Sequence, residues 1–195
     1  MKQKIAIYGG AFNPPHIGHL ITVESVREQL RIDGVYLIPS AQPPNKPGMM
    51  LAPAEDRYQM TAKAIPDTGE YAVSDIEIRR AGVSYTVDTV TTLAGEHPGA
   101  ALMLIIGSDN FLEFQTWKAP TEILARVQLV VMNRPGFEVD QSRHELARIA
   151  TFVKVPQIGI SSSDIRRRVK MGRSIRYLVP PAVEEYIVRH QLYRD

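Results

Sequence analysis

Six short apolar runs, Ile5–Tyr8, Val35–Ile38, Tyr71–Val73, Leu102–Ile106, Val127–Met132 and Phe152–Val155, punctuate the chain, with helix-patterned stretches between them. Apolar, β-rich runs alternating with helical patterns are what a parallel sheet covered by helices looks like in one dimension. They suit strands covered on both sides, and parallel strands need crossovers of the kind the intervening stretches supply. Ile21, Val23, Val26 and Leu30 recur at near-helical spacing, as do Tyr58, Met60, Ala64 and Ile65 after the acidic start Glu55-Asp56. The expected fold class is α/β, a mostly parallel sheet covered by helices.

At 195 residues the chain can bury one substantial core, and the expectation is a single domain, 1–195, with a helical C-terminal portion from about 161. Pro39 to Pro53, carrying Pro43, Pro44, Pro47 and Gly48, cannot be helical throughout. Glu77 and Arg79, alternating with Ile76 and Ile78, read as an exposed strand face. Ser161-Ser162-Ser163-Asp164 begins a helix that runs through Ile165-Arg166-Arg167-Arg168 to a stop at Gly172. A last helix from Pro180 or Pro181 through Val183, Tyr186 and Ile187 reads as packing.

A net charge of +2 gives no case for a nucleic-acid binder or a membrane-surface protein. No apolar run approaches the roughly 20 residues of a membrane helix. With no cysteine, thiolate catalysis and cysteine-ligated zinc are excluded. No charged-then-apolar leader begins the sequence, so the expected localisation is cytoplasmic. The oligomeric state is left open.

The first apolar run leads into Gly9-Gly10-Ala11-Phe12-Asn13-Pro14-Pro15-His16-Ile17-Gly18-His19 and then a helix. A strand, a glycine turn and a helix start set unpaired backbone N–H groups beside two imidazoles, which suits a polyanion. His16 and His19 share a face at a helix start, and Gly18 between them permits close approach. Taken alone, a His-x-x-His pair is more often two surface or capping histidines; the glycine turn reverses those odds. No Gly-x-x-x-x-Gly-Lys-Ser/Thr or Gly-x-Gly-x-x-Gly is present, and no third ligand completes a zinc site, so no metal residue is assigned. Arg166 lies where the positive end of its helix dipole disfavours a cation unless an anion is bound. Arg167 and Arg168 read as a solvated run.

These two segments, Gly9-Gly10-x-Phe12-Asn13-Pro14-x-His16-x-Gly18-His19 and Ile160-Ser161-Ser162-Ser163-x-Ile165-Arg166, resemble the nucleotidyltransferase superfamily with the paired-histidine motif. Within it the chain is similar to the bacterial nicotinate-nucleotide adenylyltransferases. Further matches are Pro43-Pro44-x-Lys46, Ser84-Tyr85-Thr86-Val87-Asp88-Thr89, Gly107-x-Asp109 with Trp117 downstream, Arg134, and the tail Tyr177-Leu178-Val179-Pro180 with Tyr186-Ile187 and Leu192-Tyr193. His16-Ile17-Gly18-His19 is also the phosphate-binding tetrapeptide of class I aminoacyl-tRNA synthetases, for which the chain is too short. One departure is Asn45, where the family usually has histidine; asparagine can hydrogen-bond a phosphate but carries no proton charge.

The resemblance implies a Rossmann-like, doubly wound sheet and an enzyme that joins nicotinate mononucleotide to the AMP of ATP with loss of pyrophosphate. It assigns His16, His19 and Arg166 to catalysis. Gly9, Gly10, Ala11, Phe12, Gly18, Gly107, Asp109, Ser161, Ser162 and Ser163 join them in holding ATP. Asn13, Pro44, Asn45, Lys46, Tyr85, Thr86, Trp117 and Arg134 are assigned to the mononucleotide. Mg²⁺ is the implied cofactor, bound mainly through ATP phosphates. On spacing alone Asp109 is equally well a helix cap, and Trp117 equally well core. The alternatives are another acceptor, nicotinamide mononucleotide or phosphopantetheine, or a non-catalytic nucleotide-binding protein.

Overall fold

The computed structural model describes residues 2–44, 51–66, 68–134, 136–140 and 145–194. All six apolar runs are strands: β1 (Lys4–Gly10), β2 (Gly34–Pro39), β3 (Tyr71–Val73), β4 (Ala101–Gly107), β5 (Gln128–Met132) and β6 (Thr151–Val153). They form one sheet in the order β3-β2-β1-β4-β5-β6. The ladders β1–β4, β4–β5 and β5–β6 are parallel, in the registers Ile5 to Leu102, Ile105 to Val130 and Val131 to Phe152. The uninterrupted apolar runs follow from burial on both faces, since Ile5, Ala6, Ile7 and the whole of Leu102 to Ile106 are buried. The strand order reverses beside β1, and ligands in such sheets bind at the carboxyl ends of the strands flanking the reversal.

The helices are α1 (Ile17–Leu30), α2 (Ala54–Ala64), α3 (Ile76–Arg80), α4 (Thr86–Glu96), α5 (Ser108–Leu112), α6 (Pro120–Leu124), α7 (Ser162–Lys170) and α8 (Pro181–Arg189). The expected exposed strand at Ile76 to Arg79 is instead the single helical turn α3, with Glu77 buried. Four alternating residues are too few to separate the two periods. The i,i+4 pair Arg79 Nε to Asp75 Oδ1 at 2.8 Å supports the helical choice. Ala81 (φ 58°) and Gly82 (φ 72°), both left-handed, end it.

Contacts divide the chain into two compact units. One consists of 1–9, 22–36 and 85–157, the other of 10–21, 37–84 and 158–195. The second has its own core, Met60, Ala64, Ile165, Ile175, Val179, Val183 and Ile187, with Leu192 and Tyr193 packed against it.

Helices α2 and α8 meet within this second unit, and there Tyr186 Oη donates to Asp56 Oδ1 at 2.8 Å. Desolvation first, then the bond to Asp56 and its charge, push the Tyr186 hydroxyl from 10.0 up to about 12. The folded chain holds that proton more tightly than the unfolded one, so the contribution is complete below pH 10 and lost as pH rises through 12. The thermal midpoint should hold steady from about pH 8 to 9.5 and fall beyond about 10. In Tyr186→Phe the alkaline decline, followed by circular dichroism, should be shallower.

Candidate active site

In the second unit the chain leaves β1 through a tight turn. The carbonyl of Gly10 accepts from Ser40 N–H at 2.9 Å, Phe12 takes φ 44°, and Asn13–Pro14 is a cis peptide. Helix α1 begins at Ile17, so His19 lies in its first turn and His16 immediately precedes it. The two imidazoles stack with centroids 3.6 Å apart and planes inclined 26°. Each ring's Nδ1 accepts the other residue's backbone N–H, His16 N–H to His19 at 3.1 Å and His19 N–H to His16 at 3.3 Å. A neutral ring whose Nδ1 accepts carries its proton on Nε2. The reciprocal pair therefore places the proton of each neutral ring on Nε2.

Gly18 leaves room for the His16 ring. A Cβ there would lie 3.0 Å from His16 Nδ1 and 3.1 Å from its Cε1, closer than side chains normally tolerate. Gly18→Ala should displace the His16 ring and lower turnover about tenfold with little change in thermal midpoint, as steady-state kinetics beside a melting curve will show.

Helix α7 closes on the same turn. Ser161 caps it, its Oγ accepting Asp164 N–H at 3.1 Å. Ser162 Oγ donates to the Pro14 carbonyl at 2.8 Å. Arg166 Nη1 donates to the Asn13 carbonyl at 2.8 Å and Nη2 to Ser163 Oγ at 3.2 Å. Gly10, Ala11, Phe12, Asn13, His16, Gly18, His19, Ser161, Ser162, Ser163 and Arg166 thus share one unit. Asn13 is 2% exposed. Its Oδ1 accepts from Ala52 N–H at 3.0 Å and from Tyr193 Oη at 2.9 Å.

Sequence reading missed Arg57. It is 1% exposed and donates to three carbonyls, Nε to Ala52 at 2.9 Å, Nη1 to Ala11 at 2.9 Å and Nη2 to Ala41 at 3.0 Å. Burial pulls its guanidinium below the ordinary value, while Tyr193 and Glu77 act in the opposite direction. The signal was present: Arg57, Met60, Thr61 and Ala64 are the buried face of α2, at helical spacing.

The other unit holds Gly9, Tyr85, Thr86, Gly107, Asp109, Trp117 and Arg134. Gly107 ends β4 and precedes α5, with Asp109 in its first turn. Asp109 makes no side-chain cap; its Oδ2 accepts from Arg134 Nη1 at 2.6 Å. Its Oδ1 is buried without a partner among the described residues. Arg134, whose N–H donates to Ser108 Oγ at 3.0 Å, is held beside Asp109, a residue assigned to ATP. Tyr85 precedes α4 with no side-chain cap, so backbone N–H groups lead that helix. Lys118 Nζ lies 4.3 Å from the Tyr85 ring and 3.7 Å from Asp88 Oδ2. Trp117 packs on Phe114 at 5.2 Å, with its indole N–H buried and unpartnered among the described residues. Pro44 is exposed in a turn, and the expectations on Asn45 and Lys46 lie outside the described residues. Among the described residues no three His, Asp or Glu side chains cluster to hold a metal.

The model of the cytidylyltransferase-like family matches residues 7–168. A protein of Salinibacter ruber named "Probable nicotinate-nucleotide adenylyltransferase" is 41% identical over 190 residues, covering 97% of each chain. A protein of Thermus thermophilus with the same name is 41% identical over 192 residues, covering 98% of this chain and 100% of its own. Among solved structures, the nicotinic acid mononucleotide adenylyltransferase of Plasmodium falciparum complexed with NaAD superimposes with TM-score 0.81 at 20% identity, covering 98% and 97% of the two chains, a likeness of fold. The helix-covered sheet, the paired histidines on their glycine turn and relatives matched along their whole length agree: the chain belongs to the cytidylyltransferase-like family, among the nicotinate-nucleotide adenylyltransferases.

Proposed function

We propose that the protein transfers AMP from ATP to nicotinate mononucleotide, forming nicotinate adenine dinucleotide and pyrophosphate, a step of NAD biosynthesis. The observation that carries the reading is the reciprocal His16–His19 pair on the turn that Arg166 and Ser162 tie to α7. A phosphate oxygen of the mononucleotide attacks the α-phosphorus of ATP, and the bond to the oxygen bridging the α- and β-phosphates breaks. Its electron pair leaves with pyrophosphate. The attacking phosphate is already an anion, so neither a general base nor a covalent intermediate is required; alignment and charge stabilisation carry the catalysis. Preorganised Nε2–H donors and a guanidinium suit the charge that develops on the transferring and leaving phosphates.

Mg²⁺, held mainly by phosphate oxygens, would neutralise part of that charge. The unpartnered Asp109 Oδ1 fits a hydroxyl donor of the adenosine. Trp117 offers an aromatic face for the pyridine ring, and the N–H groups leading α4 with Lys118 beside them favour a carboxylate there. Among the described residues no helix is long and apolar enough to cross a membrane. The use of ATP and the absence of cysteine favour the cytoplasm.

A second reading keeps the chemistry and changes the acceptor, because Asn45 stands where the family usually has histidine. The test is pyrophosphate release with ATP and Mg²⁺ and, in parallel, nicotinate mononucleotide, nicotinamide mononucleotide or phosphopantetheine. Release only with one of the latter two moves the assignment to that acceptor, and none with any of them defeats adenylyl transfer.

A further inference from the structure

We infer that Tyr193 is a positioning residue: through Asn13 it fixes the Ala11–His16 turn so that His16, His19 and Arg166 converge on one phosphate chain. The inference rests on the adenylyl-transfer reading and adds to it a part for the end of the chain.

Asn13 is where three distant segments meet. Its Oδ1 accepts from Tyr193 Oη, 180 positions away, and from the backbone of Ala52 ahead of α2. Its carbonyl accepts from Arg166 of α7. Two donors occupy the two acceptor directions of an amide oxygen. The side chain is thereby held in one orientation, and with it the carbonyl that aims the guanidinium.

The tail is itself held. Gln191 (φ 52°) and Tyr193 (φ 64°) are both left-handed non-glycine residues, a conformation that persists only where surrounding contacts enforce it. Leu192 and the Tyr193 ring pack against the core of this unit, so anchoring the tail does not need the hydroxyl. The hydroxyl is left to do what the ring cannot, which is donate to Asn13. Burial keeps it protonated well above neutrality, so it remains a donor wherever the enzyme works.

Tyr193→Phe keeps the ring and removes that one donor. Binding ATP draws on many groups, whereas stabilising the transition state depends on where they point, so the loss should fall on kcat. The expected result is a five- to tenfold lower kcat, roughly, with KM for ATP within about twofold and a thermal midpoint within about 2 °C of the wild type. In the substrate-free protein, amide hydrogen exchange over residues 11–19 should be faster. A kcat within twofold of wild type overturns the inference whatever the exchange does, and so does a lower kcat with unchanged exchange. Faster exchange in Tyr193→Phe beside a wild type that yields no dinucleotide would sink the adenylyl-transfer reading and leave the tail's hold on the turn standing.

Discussion

His19→Ala should lower turnover by roughly 10² to 10³, the scale for deleting one preorganised donor to a developing oxyanion. The geometry makes the loss twofold in kind. The Nε2–H donor disappears, and His16 loses both the stacked ring at 3.6 Å and the acceptor of its own backbone N–H. The His16 ring loses its stacking partner and is held only by the residue-19 N–H on its Nδ1, so the neighbouring donor is loosened as well. KM for ATP should change far less than kcat, because other groups hold the triphosphate in the ground state. His19→Asn should be intermediate, since its Oδ1 can accept the His16 N–H without replacing the Nε2 donor. Rapid-quench measurement of pyrophosphate release, with circular dichroism to verify folding, separates the cases. A folded His19→Ala enzyme with near-normal turnover would defeat the role assigned to it.

Arg57→Met should cost about 3–5 kcal/mol of stability and a thermal midpoint lower by roughly 10 °C or more. Methionine fills most of the volume, so the loss is not chiefly a cavity. It comes from three partly buried carbonyls, of Ala11, Ala41 and Ala52, that lose the donors of the buried guanidinium. Lysine would keep the charge yet reach at most part of the three-way fork, so Arg57→Lys should recover less than half of the deficit. Chemical denaturation with both variants tests this; a Met variant within about 1 kcal/mol of wild type would mean the carbonyls find water instead. Because Ala11 belongs to the phosphate turn, residual activity at low temperature should also fall.

What was legible in the sequence follows physical rules. The apolar runs marked the strands, most plainly β1 and β4, whose centres are buried throughout, so the sheet could be read off before its order was known. Caps behaved likewise, since Ser161 begins α7 by a local rule that needs no tertiary knowledge. Ile76 to Arg79 failed because one turn is too short for its period to register, and the deciding Asp75 lies outside the alternating residues. Arg57 failed differently. A cation on the apolar face of α2 makes sense only once carbonyls from Ala11 and Ala41, far away in sequence, are seen to converge on it. For the candidate site, motif residues were legible as types that suit phosphate. The reciprocal Nδ1 bonds and the Tyr193–Asn13 contact depend on angles and long-range closure that no spacing encodes.

The 180-position span from Asn13 to Tyr193 has a meaning in time. During synthesis at about 5–20 residues per second, the phosphate turn emerges from the ribosome roughly ten to forty seconds before the residue that completes its support. Arg166 arrives only shortly earlier. Until then Asn13 Oδ1 has only the Ala52 N–H of its two donors, so the motif is present before its geometry is complete. Loss of Tyr193 is therefore expected to be felt first at Asn13, near the other end of the sequence, in the rate of turnover more than in ATP binding.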